Sequence, residues 1–341
     1  MSQIRTAVIG VGTFGQWHAR AYSELTDAQL VAVADVNAER AQRVAELYGA
    51  EAYQDYRALL ERKDVDAVSV VLPDHMHREA CIEAARAGKH ILVEKPLATS
   101  EDDAQAILEA VEQAGIRLMV DFANRWSPPF LHAKAALDEG EIGLPVHISM
   151  KLNDTLEVPL HMLRWSSESS VAWFLGSHCV DLLRWLLSDE VAALRAVSRS
   201  RVLREQGVDT PDFYQTVLEF SSGTVAYLEN SWVLPTANAT VFEFEADIVG
   251  SKGRIRIDTA QHSCIQKTTD RLSHPDVLMF NEVNGKLAGF GILPMAHFVT
   301  CLQQDLPFQV TIDDALQAVK LVAAIERSAA CGGKVITFEG P

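Results

Sequence analysis

Cysteine is scarce and scattered in this 341-residue chain: Cys81, Cys179, Cys264, Cys301 and Cys331, odd in number and without a Cys-x-x-Cys pair. That argues against a disulfide framework and against a thiolate zinc site. Positive charge is in deficit too. Thirty Lys and Arg face 46 Asp and Glu, a formal net charge of −16, which leaves no electrostatic footprint for nucleic acid or an anionic membrane. No apolar run approaches the roughly 20 residues needed to span a bilayer. The start, "MSQIRTAVIGVGTFG", lacks the separate charged, apolar and cleavage regions of a signal peptide. Low-complexity linkers and internal repeats are missing as well. What remains is an ordinary globular balance, 48% hydrophobic and 22% charged. The expectation is a cytoplasmic protein of about two domains.

The first third alternates short apolar runs with helical patterns. "IRTAVIG", "AQLVAVAD", "VDAVSVVLP", "HILVE" and "RLMVDF" read as five strands. Helices are expected from Thr13 to Leu25, in "NAERAQRVAELYG", in "HREACIEAARAGK" and in "SEDDAQAILEAVEQAG", the last capped by Ser100. Near-continuous Val, Ile, Leu and Ala runs suit a parallel sheet covered on both faces, so this third predicts a doubly wound α/β domain. After one more helix in "SPPFLHAKAALDEG", longer segments alternate apolar and polar residues and turn at Ser-Gly or Lys-Gly. They predict an α+β domain built on a large, mostly antiparallel open sheet. One helix, "HCVDLLRWLLS", interrupts it, and two more, Pro294 to Gln304 and Ile312 to Ala330, close the chain. The boundary is expected near Phe122 to Asn124, giving domains 1–122 and 123–341.

Gly10-x-Gly12-x-x-Gly15 follows a strand and opens a helix, the context a dinucleotide fingerprint requires. The glycines let the backbone approach a pyrophosphate, and Thr13 and Phe14 belong to the same loop. The free N–H groups of the helix start favour an anion. Asp35 ends the second strand, 20 residues beyond Gly15. A carboxylate there can accept both adenosine-ribose hydroxyls and repels a 2′-phosphate, so NAD is expected over NADP. A second role for Asp35, as a helix N-cap, is compatible with the first. Arg40 is expected on the solvent face of its helix.

Ligands of open α/β sheets bind beyond the carboxyl ends of the strands. Leu72 and Pro73 end the third strand, and Glu94, Lys95 and Pro96 end the fourth. His75 and His77 have metal-pair spacing but no evident third ligand, so no metal is expected, and His77 reads as a helix-start residue near the cofactor. The proline biases Lys95 towards an extended conformation. Its ammonium is then either a surface charge after a strand or a group that hydrogen-bonds a substrate hydroxyl. Spacing alone leaves both readings open.

The glycine fingerprint, "VVLPDHMHRE", "HILVEKPLATS", "NRWSPPF" and "LGSHCVDLLRWLL", in this order, resemble the Gfo/Idh/MocA family of NAD(P)-dependent oxidoreductases across essentially the whole chain. The resemblance implies a Rossmann domain, a sheet-based second domain, a sugar, sugar-acid or cyclitol substrate, and a homodimer or homotetramer formed through the C-terminal sheet. It implies that Lys95 touches the nicotinamide ribose and the substrate hydroxyl, and that His178 is the acid/base. It also implies that Asn124 and Arg125 lie beside nicotinamide and substrate. Trp126, Trp165 and Trp173 fall in segments expected at the cleft, where indoles stack on sugar C–H faces. Arg164 is a further substrate candidate. Core packing is the ordinary alternative for these tryptophans.

One departure stands out. Many members carry an aspartate four residues before the histidine, and this chain has Phe174 there, in "SSVAWFLGSH". Asp181, on the same helical face as His178, is expected to pair with Arg184 or to steady the helix. The leading expectation is hydride transfer between a hydroxyl-bearing carbon and nicotinamide. Two alternatives are a non-catalytic NAD(H) or sugar sensor and a transient-oxidation enzyme that keeps its NAD bound.

Overall fold

An apolar run such as Ile91-Leu92-Val93 has no polar alternate residue to turn towards water, so it needs cover on both faces. In the computed structural model these three side chains are fully buried. The structure describes residues 2–261, 264–268 and 272–338. It divides into two compact units, Met1–Ala123 with Met279–Val319, and Asn124–Leu278 with Lys320–Pro341.

The first unit contains six parallel strands: β1 (Ile4–Ile9), β2 (Ala28–Ala34), β3 (Glu51–Tyr53), β4 (Ala67–Val70), β5 (His90–Glu94) and β6 (Leu118–Asp121). Their order is β3-β2-β1-β4-β5-β6. The order reverses between β1 and β4, the switch point where this architecture binds ligands. Five of these strands match the sequence reading. The sixth, β3, is a three-residue edge strand without a buried residue, too short and too exposed to carry a pattern. Helices α1 (Thr13–Glu24), α2 (Ala38–Tyr48), α3 (Tyr56–Leu60), α4 (His77–Arg86) and α5 (Glu101–Ala114) connect the strands. Ser100 caps α5 through the amide of Asp103. Gly49 closes α2 at φ 70°, a left-handed position that glycine takes without steric cost.

The second unit begins with a tight turn over Ala123–Trp126 and α6 (Pro128–Asp138). Its sheet holds β7 (Pro145–Thr155), β8 (Val191–Arg199), β9 (Phe213–Phe220), β10 (Val225–Leu234), β11 (Phe242–Gly250) and β12 (Arg254–Asp258). The order is β12-β11-β7-β10-β9-β8, followed by the two-residue strand Ile336–Thr337. All pairs are antiparallel except β7 with β10. Alternation decides the faces: Ile148, Met150, Leu218, Leu228 and Ile248 point into the core, while His147, Gln215, Glu219 and Val225 stay exposed. Helix α7 (Ser177–Leu187) buries Cys179, Leu182, Leu183 and Leu186. Strand β8 stops at Arg199, although "ALRAVSRSRVL" carries its apolar residues on to Leu203. The Asp212 carboxylate there accepts the amides of Arg201, Val202 and Leu203 at 2.8, 2.9 and 2.9 Å, and the chain turns into α8 (Val202–Glu205).

The chain then returns to the first unit through α9 (Leu293–Gln304), and α10 (Ile312–Ala330) follows. The Arg117 guanidinium fastens this return, donating to the Cys301 carbonyl at 2.9 Å and lying 4.1 Å over the Phe308 ring. No described helix is long and apolar enough to cross a membrane.

Candidate functional site

The three fingerprint glycines have distinct physical reasons. Gly10 sits at φ 87°, and a Cβ there would lie 2.2 Å from the Val71 carbonyl oxygen. A Cβ on Gly15 would lie 1.9 Å from the Gly10 oxygen, so these two glycines close the turn and press α1 onto the sheet. A Cβ on Gly12 would meet nothing within 4 Å. Gly12 therefore keeps open the side from which a pyrophosphate approaches. No side chain caps the α1 N-terminus and no acidic residue occupies its first turn, which leaves its N–H groups to an anion. The residues fit a dinucleotide. Exposed Thr13 and Phe14 flank this start, and the Phe14 ring meets Phe280 edge-on at 6.5 Å.

Asp35 is buried at the end of β2. One of its oxygens accepts from Val11 N at 3.0 Å and the other from Asn37 N at 2.9 Å. It thereby fixes the glycine loop from below. The α2 cap is Asn37, whose side chain takes the Arg40 amide, so the capping role considered for Asp35 belongs to its neighbour. Arg40 does not simply face solvent: its guanidinium pairs with Asp35 at 3.3 Å.

Leu72 and Pro73, half-exposed, follow β4, and Lys95, only 8% exposed, follows β5. His77 is fully buried, and its ring nitrogens lie 2.7 Å from the Pro96 oxygen and 2.9 Å from the Leu72 oxygen. It thus ties together the two segments that leave the sheet at the ligand edge. Glu94 and Asp121 are register partners on β5 and β6, two carboxyls side by side. His18, from α1, places Nε2 at 3.1 Å from Glu94 and 3.8 Å from Asp121, and Nδ1 at 3.1 Å from Ser69 Oγ. Burial pushes the Glu94 carboxyl up, but the His18 hydrogen bond and the His18, Lys95 and His77 charges outweigh it and hold it below its usual range. Burial and the Glu94 charge push Asp121 well above its own, against the pull of Lys95. The two neighbouring carboxyls are thus driven in opposite directions, Glu94 down and Asp121 up. The donor atoms of His18, Glu94 and Asp121 lie within 4.8 Å of one another, close enough for a metal ion. The His18–Glu94 hydrogen bond already accounts for their approach. Sequence reasoning missed His18 and Asp121. The only local signals were a histidine within a helix and an aspartate at a strand end.

In the second unit, His178 stands in the first turn of α7, directly after a π-helical turn over Ala172–Gly176. Space is tight at Gly176, where a Cβ would approach the Asn230 side-chain oxygen to 3.1 Å. Asn124 Nδ2 lies 3.2 Å from His178 Nδ1. Arg125 is buried, with Nε and Nη2 on the Asp181 carboxylate at 2.9 and 2.6 Å. Asp181 thus pairs with Arg125, and Arg184 holds Glu190 at 2.5 Å. Trp126 is buried, Arg164 is exposed and Trp165 is half-exposed. Trp173 is buried, its indole N–H donating to Glu326 at 2.9 Å, which gives it a packing role. Phe174 meets Trp165 at 6.0 Å and Trp232 at 5.9 Å between ring centres. The position of the usual carboxylate is thus filled by one ring of an aromatic row.

Two family models match the chain: "Oxidoreductase family, NAD-binding Rossmann fold" over residues 4–122, and "GFO/IDH/MocA C-terminal domain" over residues 130–256. The scyllo-inositol 2-dehydrogenase (NAD(+)) of Bacillus subtilis is 30% identical over 92% of this chain and 90% of its own length. The inositol 2-dehydrogenase of Rhizobium meliloti is 28% identical over 96% and 97%. The solved structure of GenD2 from gentamicin A biosynthesis, in complex with NAD, superposes with a TM-score of 0.87 at 22% identity. It covers 100% of this chain and 97% of that one, a likeness of fold.

Proposed function

The chain belongs to the Gfo/Idh/MocA family of oxidoreductases, and from that premise we propose that it is an NAD-dependent dehydrogenase of a cyclitol or closely related sugar. The relatives that oxidise inositols support the substrate class. The observation that carries the reading lies within one sheet: the glycine cradle after β1 and the buried Lys95 after β5 share the ligand edge. NAD, when bound, supplies the hydride acceptor. The Lys95 ammonium hydrogen-bonds the substrate hydroxyl and lowers its pKa, and His178 takes up the proton. Glycines 10, 12 and 15, with Thr13, Phe14, Asp35, Leu72, Pro73, Glu94 and Asn124, are assigned to cofactor binding, and His77 supports that edge through the carbonyls it holds. Arg164 and Trp165 are assigned to substrate, while Arg125 and Trp126 shape the turn that carries Asn124.

Preference for NAD over NADP is ascribed to Asp35, whose carboxylate accepts ribose hydroxyls and repels a 2′-phosphate. A homodimer or homotetramer is proposed through the exposed face of the second unit's sheet, and light scattering of purified protein tests it. Phe174 favours a second reading, in which NAD stays bound for transient oxidation or serves a sensor.

The deciding experiment is NADH formation across cyclitols, aldoses and sugar acids, with NAD and NADP in parallel and Lys95→Ala as control. The expected result is a cyclitol-dependent signal that falls by about 10²–10⁴ in the variant while NAD still binds. Tight NAD binding with silence across the panel would favour the second reading.

A further inference from the structure

Phe174 removes the carboxylate that the family pattern sets one turn before His178, and the structure shows a different polar group at the ring. Asn124 Nδ2 stands 3.2 Å from His178 Nδ1. The next residue, Arg125, is locked bidentately to Asp181, three residues beyond His178 on the same helix. The turn that carries Asn124 is therefore clamped to the helix that carries His178, and the amide–imidazole contact is built in. Phe174 itself is occupied by Trp165 and Trp232.

We propose that the Asn124 carboxamide is a positioning group of His178, setting the ring's orientation and tautomer. This rests on the reading of His178 as the acid/base. An ionised carboxylate only accepts hydrogen bonds, so at Nδ1 it supports an Nδ1–H ring alone. A carboxamide presents either its NH₂ or its oxygen, according to a half-turn about its last bond. With the NH₂ towards Nδ1, as here, Nδ1 accepts and Nε2 carries the proton. With the oxygen towards it, Nδ1–H donates and Nε2 becomes the basic nitrogen. The second arrangement also suits the imidazolium formed when the ring takes the hydroxyl proton. The amide orientation and the state of the ring are thus coupled.

The test is the nitrogen spectrum of histidine-labelled full-length protein, with the His178 signals assigned through His178→Gln. Wild type is expected to show His178 chiefly as the Nε2–H tautomer. Asn124→Asp should move it to Nδ1–H, and Asn124→Ala should leave a mixture. In turnover, Asn124→Ala should lower kcat by about tenfold or more, with the KM for substrate changed far less, and Asn124→Asp should recover part of the loss. The same His178 tautomer in all three proteins would overturn the proposal, as would equal kcat in wild type and Asn124→Ala. If His178→Gln turned over as fast as wild type, the acid/base reading would fall instead, whatever the spectra of the Asn124 variants showed.

Discussion

Arg125 donates two parallel hydrogen bonds to Asp181, at 2.9 and 2.6 Å, and the two side chains are 3% and 1% exposed. A buried pair of this geometry is costly to break from one side, because the partner is left charged and unpaired. The loss is about 3–5 kcal/mol. Asp181→Ala should therefore lower the melting temperature of the unliganded protein markedly and lower kcat as well, since the same pair holds Asn124 beside His178. A melting curve that matches wild type would show that the guanidinium finds other partners.

Gly12 and Gly15 differ in the space around them, and alanine should separate their roles. Gly15→Ala would drive a Cβ into the Gly10 carbonyl, so loss of stability is expected before any loss of affinity. Gly12→Ala meets no protein atom and should melt close to wild type yet bind NAD more weakly. Titration of NADH fluorescence beside thermal melts reads both. Equal NAD affinity in Gly12→Ala and wild type would contradict the open-side reading.

Asp35 holds Val11 and Asn37 and also meets Arg40. Asp35→Ala should weaken NAD binding and relieve the repulsion of a 2′-phosphate, leaving Arg40 to face it. The ratio of kcat/KM for NAD to that for NADP should fall. An unchanged ratio would remove Asp35 from cofactor selection.

Asp121 makes a prediction about pH. Burial first, and then the Glu94 charge, raise its carboxyl well above the usual range, with Lys95 opposing. The folded protein keeps a proton that the unfolded chain loses near pH 4. The associated stability is complete below that pH and is lost as pH rises towards the raised folded value. A carboxamide does not titrate, so Asp121→Asn should gain stability relative to wild type as pH rises from about 4 towards that raised value. His18, Glu94 and Lys95 stay in place in that comparison. A melting difference independent of pH would mean that Asp121 is ionised in the fold.

Much of this was legible one segment at a time. Ile91-Leu92-Val93 announces a buried strand, Gly10-x-Gly12-x-x-Gly15 announces a strand-to-helix turn with a bare backbone, and the spacing in "HCVDLLRWLLS" places α7. These signals are local, because the chain's own geometry sets their periods of two and 3.6 residues. Lys95 could be placed at the ligand edge for the same reason. Its chemistry could not be read from spacing and came from the order of motifs along the whole chain.

The rest depends on distance in space. Asp181 has Arg184 at helical spacing, yet Arg125, 56 residues away, grips it with two parallel hydrogen bonds, because the turn after β6 brings that guanidinium against α7. Arg40 swings to Asp35, Asn37 takes the α2 cap, and His18 finds Glu94 from 76 residues away. Residues 279–319 join the first unit, although nothing in their composition says so. By itself the sequence determined which segments become strands and helices and where a dinucleotide can approach, because backbone sterics and apolar periodicity act over a few residues. Only the tertiary structure decided which side chains share a proton or a charge, because those pairings follow from sheet register and packing.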